Sequence, residues 1–480
     1  MLSRGDLGLR LDPFYYDPET VEIERKVCEI TSFKLRNLAK YVSSGSTPLT
    51  SESEKYYADE QNGIPFIRVQ NLQETGEISF EDVKFINYAT HNGLLNRSQV
   101  KEGDLLIKIT GVGRMAVSSV APNDFEGNIN QHIVVVKTNS RHTSELIAAF
   151  LNTDIGEKLA FRRSTGGTRP ALDFPALLSI PIILDDKILD LAKLARSQKE
   201  EKAVKSTKIL SEIDDYLLDK LGITKATAET DMQSRMFYTN FCVTSGNRLD
   251  PKNYLTFYDR LKTNIEKGRY PSVYLRLLVT HSVSGDWGKD ENEDGITDNK
   301  HYKKCLVLRA TEFDNDYNFK LDGSRVKFRM IHETKLKNMN VQAGDLLIEK
   351  SGGSDNQPVG RIGIIEAEML TQPLGFSNFV HKIRVNEGAI DREYLFCYLK
   401  TMHNIKLTDV MQSQTNGIRN LIMSEYLGQS IPLPPLSIQR EIAQPISKMR
   451  AKAKFLQQSA VDLLAQTKQE IESMIIGEGV

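Results

Sequence analysis

The sequence has few of the residues and patterns that define several large protein classes. Its four cysteines, Cys28, Cys242, Cys305 and Cys397, are spread through 480 residues with no CxxC pair and no cysteine-histidine pair. That spacing excludes a zinc ribbon or a disulfide framework and fits a reducing compartment. No apolar run approaches the roughly 18 residues needed to cross a bilayer, and the first residues lack a signal-peptide core. The expectation is a soluble protein of the cytoplasm. An excess of one charge is also missing, with a formal net charge of −1, so any nucleic-acid contact must be local. Tryptophan occurs once, at Trp287 in the acidic stretch "SGDWGKDENEDG", which reads as a surface excursion. There is no Walker A loop. What the chain does have is length and apolar content, 40% of residues, enough to bury cores in two or more domains.

It also repeats itself. "RLDPFYY" at Arg10 returns as "RLDPKNY" at Arg248, and "VKEGDLLIKITG" at Val100 as "VQAGDLLIEKSGG" at Val341. "STGGTRP" from Ser164 is answered by "SQTNGIRN" from Ser413, and "LLSIPIIL" by "LGQSIPLPP". The order is kept at an offset of about 240 to 250 residues, which indicates a tandem duplication of a unit too long for a solenoid repeat.

Each copy ends in a helical arm. The first runs from Asp185 to a stop at Gly222, with Ile188, Leu191, Leu194 and Ala195 on one stripe that Ile209, Ile213, Tyr216 and Leu217 resume. In the second, Ile442, Ile446, Met449, Ala453, Leu456, Ala460, Leu463, Thr467, Ile471 and Met474 fall at steps of three and four. Such a seam suits a helix pair, and Pro445 marks a kink or the start of the regular helix. Before each arm, segments such as "IPFIRVQNL", "GDLLIKITG", "MAVSSVAP", "HIVVVKT", "KCLVLRATEF", "VGRIGIIEA" and "NFVHKIRV" read as strands. "SELIAAFLNTDIGEKLAFRR" and "DREYLFCYLKTMH" read as helices. The expected fold is α+β, with two mixed globular domains at residues 1–184 and 225–435. Long helices at 185–224 and 436–480 join them as an antiparallel coiled coil.

Asp12-Pro13-Phe14-Tyr15 resembles the Asp-Pro-Pro-aromatic signature of DNA amino-methyltransferases, but the second copy reads Asp250-Pro251-Lys252-Asn253-Tyr254 and loses the aromatic. A cofactor fold is missing as well. Gly111, Gly113 and Ala116 imitate a dinucleotide turn, yet "AVSSVAPNDF" after them reads as a strand where a helix is needed. "GDLLIEK" imitates a nuclease site, but Lys108 stands in the first copy where Glu349 stands in the second, so the aspartates read as turns before buried strands. Loops rich in cations and amides are better candidates. The first copy offers Lys108, Arg114, Asn130, Gln131, Arg162, Arg163, Thr165, Thr168 and Arg169. The second offers Lys350, Ser351, Gln357, Arg361, Asn378, His381, Gln414, Asn416 and Arg419. Lysine and arginine hold phosphates, while arginine, asparagine and glutamine match guanine and adenine edges in the major groove. Taken singly, each reads more readily as a solvated loop residue; it is their clustering in both copies that points to DNA.

The order of parts resembles the specificity subunit of type I restriction-modification systems. The residues that carry the likeness are the two RLDP segments, the two GDLLI strands, "NINQHIVVV", "SGGSDNQPVGR", "FSNFVHKIRV" and above all "IPLPPLSIQREIA". The first copy, "IPIILDDKILDLA", lacks that last Pro-Pro turn and Gln439, leaving the start of its helix open. The resemblance implies two target-recognition domains, each reading half of a bipartite site in double-stranded DNA. It implies two partner methyltransferase subunits that bind S-adenosylmethionine and methylate adenine, restriction/translocase subunits as further partners, and no cofactor or catalysis in this chain. Two other readings stay open at this point: a stand-alone methyltransferase or nuclease, and a protein-binding scaffold of a related defence system.

Overall fold

Each GDLLI segment becomes an inner strand of a four-stranded sheet, for reasons that lie in its first two residues. Gly103 and Gly344 take positive φ angles of 74° and 90°, a region glycine enters at little cost. The next residue turns its carboxylate back on the chain. Asp104 Oδ2 accepts the Lys101 N–H at 2.8 Å, and Asp345 Oδ2 accepts the Gln342 N–H at 2.8 Å. Both aspartates are ion-paired across the sheet, Asp104 with Lys137 at 3.1 Å and Asp345 with Lys382 at 3.1 Å and Arg384 at 2.6 Å. The Leu-Leu-Ile that follows is buried in both copies. The aspartates hold turns at the heads of buried strands.

The structure is a computed structural model that describes residues 13–166, 169–227, 251–293, 300–321, 326–353, 357–415 and 418–477, with isolated positions between 232 and 249. It divides into two units, one of Met1–Ala203 with Gln457–Val480, the other of Val204–Leu456. The division falls inside the two long helices, so each helix gives one end to each unit.

Unit 1 carries strands β1 (Tyr41–Ser44), β2 (Ile64–Ile67), β3 (Lys84–Ile86), β4 (Leu105–Lys108), β5 (Ser118–Val120), β6 (Glu126–Ile129) and β7 (Ile133–Lys137). One sheet has the antiparallel order β1-β7-β4-β5. In the other, β2 pairs antiparallel with β3 and parallel with β6, and short strands at Tyr57–Ala58 and Gln99–Lys101 extend it. Unit 2 carries β8 (Val279–Ser284), β9 (Tyr302–Leu308), β10 (Lys327–His332), β11 (Leu346–Glu349), β12 (Ile362–Ile364), β13 (Leu374–Phe376) and β14 (Val380–Val385). Its first sheet runs β8-β14-β11-β12, and β9 pairs antiparallel with β10 and parallel with β13. The seven labelled strands of each unit share one pairing order and direction. The segment after Gly113 is indeed a strand, β5, as its β-branched sequence requires.

Helix α1 (Pro18–Ile30) starts on an Asp17 cap whose carboxylate accepts the Thr20 N–H at 3.0 Å, with Pro18 in the first turn. The described residues of the RLDP segments form 3-10 turns, Pro13–Tyr16 and Pro251–Tyr254, each leading into a helix. Arg10, Asp12, Arg248 and Asp250 lie outside the described residues. The single helix read over 144–163 is two, α2 (Arg141–Leu151) and α3 (Asp154–Arg163). Thr153 breaks it by capping α3 through the Gly156 N–H at 3.0 Å.

The first arm is α4 (Asp186–Leu221), and it stops where Gly222 takes a φ of 67°. Unit 2 also holds α5 (Thr256–Glu266) and α6 (Arg392–Asn404), while the second arm is α7 (Leu436–Ile476). That helix begins before Pro445, which sits inside it. Within unit 1 the two arms run antiparallel: Lys202 Nζ donates to Ser459 Oγ at 2.8 Å, and Ile188 shares a core with Ile471 and Ile475. Within unit 2 they do the same, with Ser206 Oγ donating to the Ala453 carbonyl at 3.2 Å and Ile213 and Leu217 packed in one cluster with Ile442 and Ile446. The seam differs from its sequence reading at two points. Leu194 and Met474 are exposed, and Leu189 and Ile475 are buried instead. The same clusters contain sheet and helix residues of each globular domain, so the arms both pair and close the domain cores.

Candidate nucleic-acid interface

One edge of each unit gathers the loops that the sequence singled out. In unit 1 the turn between β6 and β7 is Asn130–His132. Asn130 is buried; its N–H donates to the Ile67 carbonyl at 3.1 Å and its Oδ1 accepts the His132 N–H at 3.2 Å. Gly45 lies flat against this turn, where a Cβ would stand 1.9 Å from the Ile129 oxygen. Gln131 projects into solvent and accepts a hydrogen bond from Thr47 Oγ1. Next to it, the Ile109 N–H donates to the His132 carbonyl at 3.0 Å, and the Leu172 N–H to the Ile109 carbonyl at 2.8 Å. These bonds bring in the turn closed by Thr165 and Ala171, which exchange backbone bonds of 2.9 and 2.8 Å. Thr165 and Arg169 are exposed there; Thr168 lies outside the described residues.

Unit 2 builds the same corner from different side chains. The turn between β13 and β14 is Ser377–Phe379, with Asn378 and Phe379 exposed. Gly285 lies against it as Gly45 does in unit 1, its absent Cβ 2.1 Å from the Phe376 oxygen. The Lys350 N–H donates to the Phe379 carbonyl at 2.7 Å, and the Leu421 N–H to the Lys350 carbonyl at 2.7 Å. A small sheet follows, in which Ser351–Gly352 pairs with β16 (Ile418–Leu421), and β16 with β15 (Gln412–Thr415). Gln414 is exposed and paired in register with half-buried Arg419, while buried Ser351 donates to Asn420 Oδ1 at 2.7 Å. Asn416 lies outside the described residues. Gln357 donates to Asn315 Oδ1 at 2.9 Å.

Two serines that the sequence reading did not single out complete this corner. His381 Nε2 is 2.8 Å from Ser282 Oγ, and its Nδ1 is 3.1 Å from Ser284 Oγ. Lys350 Nζ donates to Ser284 Oγ at 3.3 Å. Burial, helped by the Lys350 charge, lowers the His381 pKa to about 4, so the ring is neutral near pH 7. Serines at i and i+2 share one face of a strand, which is a signal only once the cross-strand partner is known. Trp287 is exposed, as its acidic surroundings suggested, with two guanidiniums beside its ring, Arg329 at 5.1 Å and Arg309 at 5.9 Å from its centre.

Several cations expected at this edge have inward partners. Lys108 is buried and donates to the Val112 carbonyl at 2.8 Å, with burial lowering its pKa. Arg114 pairs with Asp154 at 2.6 Å and Glu157 at 3.0 Å, and donates to the Asn152 carbonyl at 2.8 Å. Arg162 and Arg163 both hold Glu24 on α1. Burial pushes that carboxylate's pKa up, but the paired guanidiniums outweigh it and leave the value lowered. Arg162 Nε also donates to the Tyr15 carbonyl at 2.7 Å, and Arg163 Nε to Ser179 Oγ at 2.9 Å. Arg361 grips buried Glu349 through two bonds of 2.8 Å. The residues left facing solvent at the two corners are Gln131, Thr165 and Arg169 in unit 1 and Asn378 and Gln414 in unit 2, with Lys350 and Arg419 half-buried.

Among the described residues no group of three or more His, Cys, Asp or Glu side chains could hold a metal ion, and no helix is long and apolar enough to cross a membrane. Residues 303–472 match the family model for the type I restriction modification DNA specificity domain, which bears out the resemblance seen in the sequence. No curated protein matches the chain. Among solved structures, one titled for complex assembly and conformational transition of the type I R-M system covers 92% of this chain and 95% of its own, at 14% identity and a TM-score of 0.44. The S subunit from M. genitalium covers 93% and 95% at 11% identity and a TM-score of 0.38. The HsdS subunit from Thermoanaerobacter tengcongensis covers 92% and 94% at 14% identity and a TM-score of 0.30. At such TM-scores the likeness carries no weight of its own.

Proposed function

We propose that this chain, whose residues 303–472 match the type I restriction modification DNA specificity domain, is the non-catalytic component of such a system and that its two units each read one half of a bipartite duplex target. Residues 1–184 and 225–435 are the reading domains and residues 185–224 and 436–480 the spacer. The observation that carries the proposal is the pairing of one strand topology with two different sets of side chains at the same corner. A shared frame with variable edge residues suits a reader of two unlike half-sites. One well-made base contact discriminates by about 1–3 kcal/mol. Joining two readers makes the second contact intramolecular, so selectivity multiplies.

The partners in this proposal are two methyltransferase subunits that bind S-adenosylmethionine and methylate adenine, with restriction/translocase subunits joining them. A chain of net charge −1 then leaves much of the phosphate contact to those partners. Co-expression with an adenine methyltransferase subunit of such a system tests the proposal. Mapping methylated adenines should return one motif with two specified halves. Replacing the solvent-facing Thr165 and Arg169 by alanine should relax or abolish one half only. Tight binding of S-adenosylmethionine by this chain alone would favour a stand-alone enzyme, and absence of salt-sensitive DNA binding by the complex would favour a scaffold.

A further inference from the structure

The corner around Lys350 and its counterpart in unit 1 can be compared position by position, because strand register fixes the correspondence. Ser284 faces His381 across β8 and β14, and Ser44 faces Val134 across β1 and β7. Lys350 follows β11 and bonds the Phe379 carbonyl, as Ile109 follows β4 and bonds the His132 carbonyl. Unit 2 therefore has a cation and an imidazole where unit 1 has Ile109 and Val134, both buried. In unit 2 both imidazole nitrogens are engaged by serines, and the second serine accepts from the lysine. The chain Ser282–His381–Ser284–Lys350 thus fixes the ammonium of a residue whose own N–H bonds the exposed Asn378–Phe379 turn at the Phe379 carbonyl. An ammonium fixed at that place offers donors only, with no acceptor. Among base edges in the major groove, guanine presents two acceptors, N7 and O6, and lysine and arginine are their usual partners.

We propose that Lys350, seated on the Ser282–His381–Ser284 chain, is a specificity-determining contact of unit 2 that selects a guanine at one position of its half-site. The equivalent position of unit 1 is apolar and makes no such selection, so the two half-sites differ there. This rests on the DNA-reading function proposed above. Loss of the side chain leaves the local frame intact, because the backbone bonds of residue 350 to Phe379 and Leu421 do not involve it.

The test uses the full chain in complex with its co-expressed methyltransferase and a library of randomised duplexes. If the wild-type complex selects no sequence, the DNA-reading proposal itself fails. If it does, Lys350→Met should lose on the order of tenfold in preference for guanine at a single position of one half-site. All other positions should stay as before, with an unchanged melting temperature. Lys350→Arg should keep the guanine, and Ser284→Ala should weaken the preference in part. Uniform weakening over all sequences with an unaltered motif would make Lys350 a phosphate contact and overturn the proposal, as would an unaltered motif at unaltered affinity.

Discussion

Removing the Arg361 guanidinium tests how the cations of the interface are divided between DNA and the domain interior. Arg361 Nε and Nη2 each lie 2.8 Å from a Glu349 oxygen, and the side chain also donates to the Phe313 carbonyl at 2.7 Å and the Ala310 carbonyl at 2.8 Å. The Glu349 side chain is 0% exposed and that of Arg361 13%. Arg361→Met leaves a fully desolvated carboxylate without a counter-ion, which costs about 3–5 kcal/mol. Replacing both partners, Glu349→Leu with Arg361→Met, removes that charge and leaves the two carbonyls to recover partners. The double variant should therefore regain about 2 kcal/mol over the single one. Unit 1 shows that the strand pairing does not need the ion pair: register places Lys108 and Val117 at the same positions. Urea unfolding, read by hydrogen exchange in β11 and β12, measures both variants. A double variant as unstable as Arg361→Met would refute the reasoning. A stable double variant that has lost one half-site would return Arg361 to the DNA contact.

Three further outcomes follow from the structure. Gly285→Ala sets a methyl 2.1 Å from the Phe376 oxygen, a clash with backbone, so unit 2 should lose more than about 4 kcal/mol; a melting temperature within a few degrees of wild type would contradict this. Burial holds the pKa of both His381 and His403 at about 4 against an ordinary 6.5. The unfolded chain then binds protons first, so stability that is full above pH 6.5 is lost as pH falls towards 4, by up to about 3 kcal/mol per histidine. Urea midpoints between pH 7 and 4 should fall less in the His403→Gln variant than in wild type. Asp345→Asn takes the counter-ion from Lys382, whose side chain is 0% exposed, and should cost about 3–5 kcal/mol with protection lost along β14.

Local rules carried far into this fold, and long-range ones did not. The GDLLI turns, the stop at Gly222 and the strand after Gly113 depend on neighbours in sequence, and each is where its residues put it. The helix after the first RLDP segment is written locally too, in the Asp17-Pro18 start and its Thr20 partner. The inward pairing of Arg162 was not legible, because its partner Glu24 lies 138 residues away. The Ser282–His381 bond spans 99 residues and depends on register, which a period-two pattern leaves open until the partner strand is known. At the candidate interface the exposed amides Gln131, Asn378 and Gln414 stand where the loop composition suggested, whereas the arginines mostly fold back into their own domain.

The central claim is that one chain reads two unlike half-sites with two copies of one frame. The most direct measurement is adenine-methylation mapping in cells that express the chain with its methyltransferase, wild type beside Lys350→Met. Wild type should return one bipartite motif, and the variant should relax at a single guanine in one half. Methylation without a bipartite motif, or a variant that alters both halves alike, would contradict it.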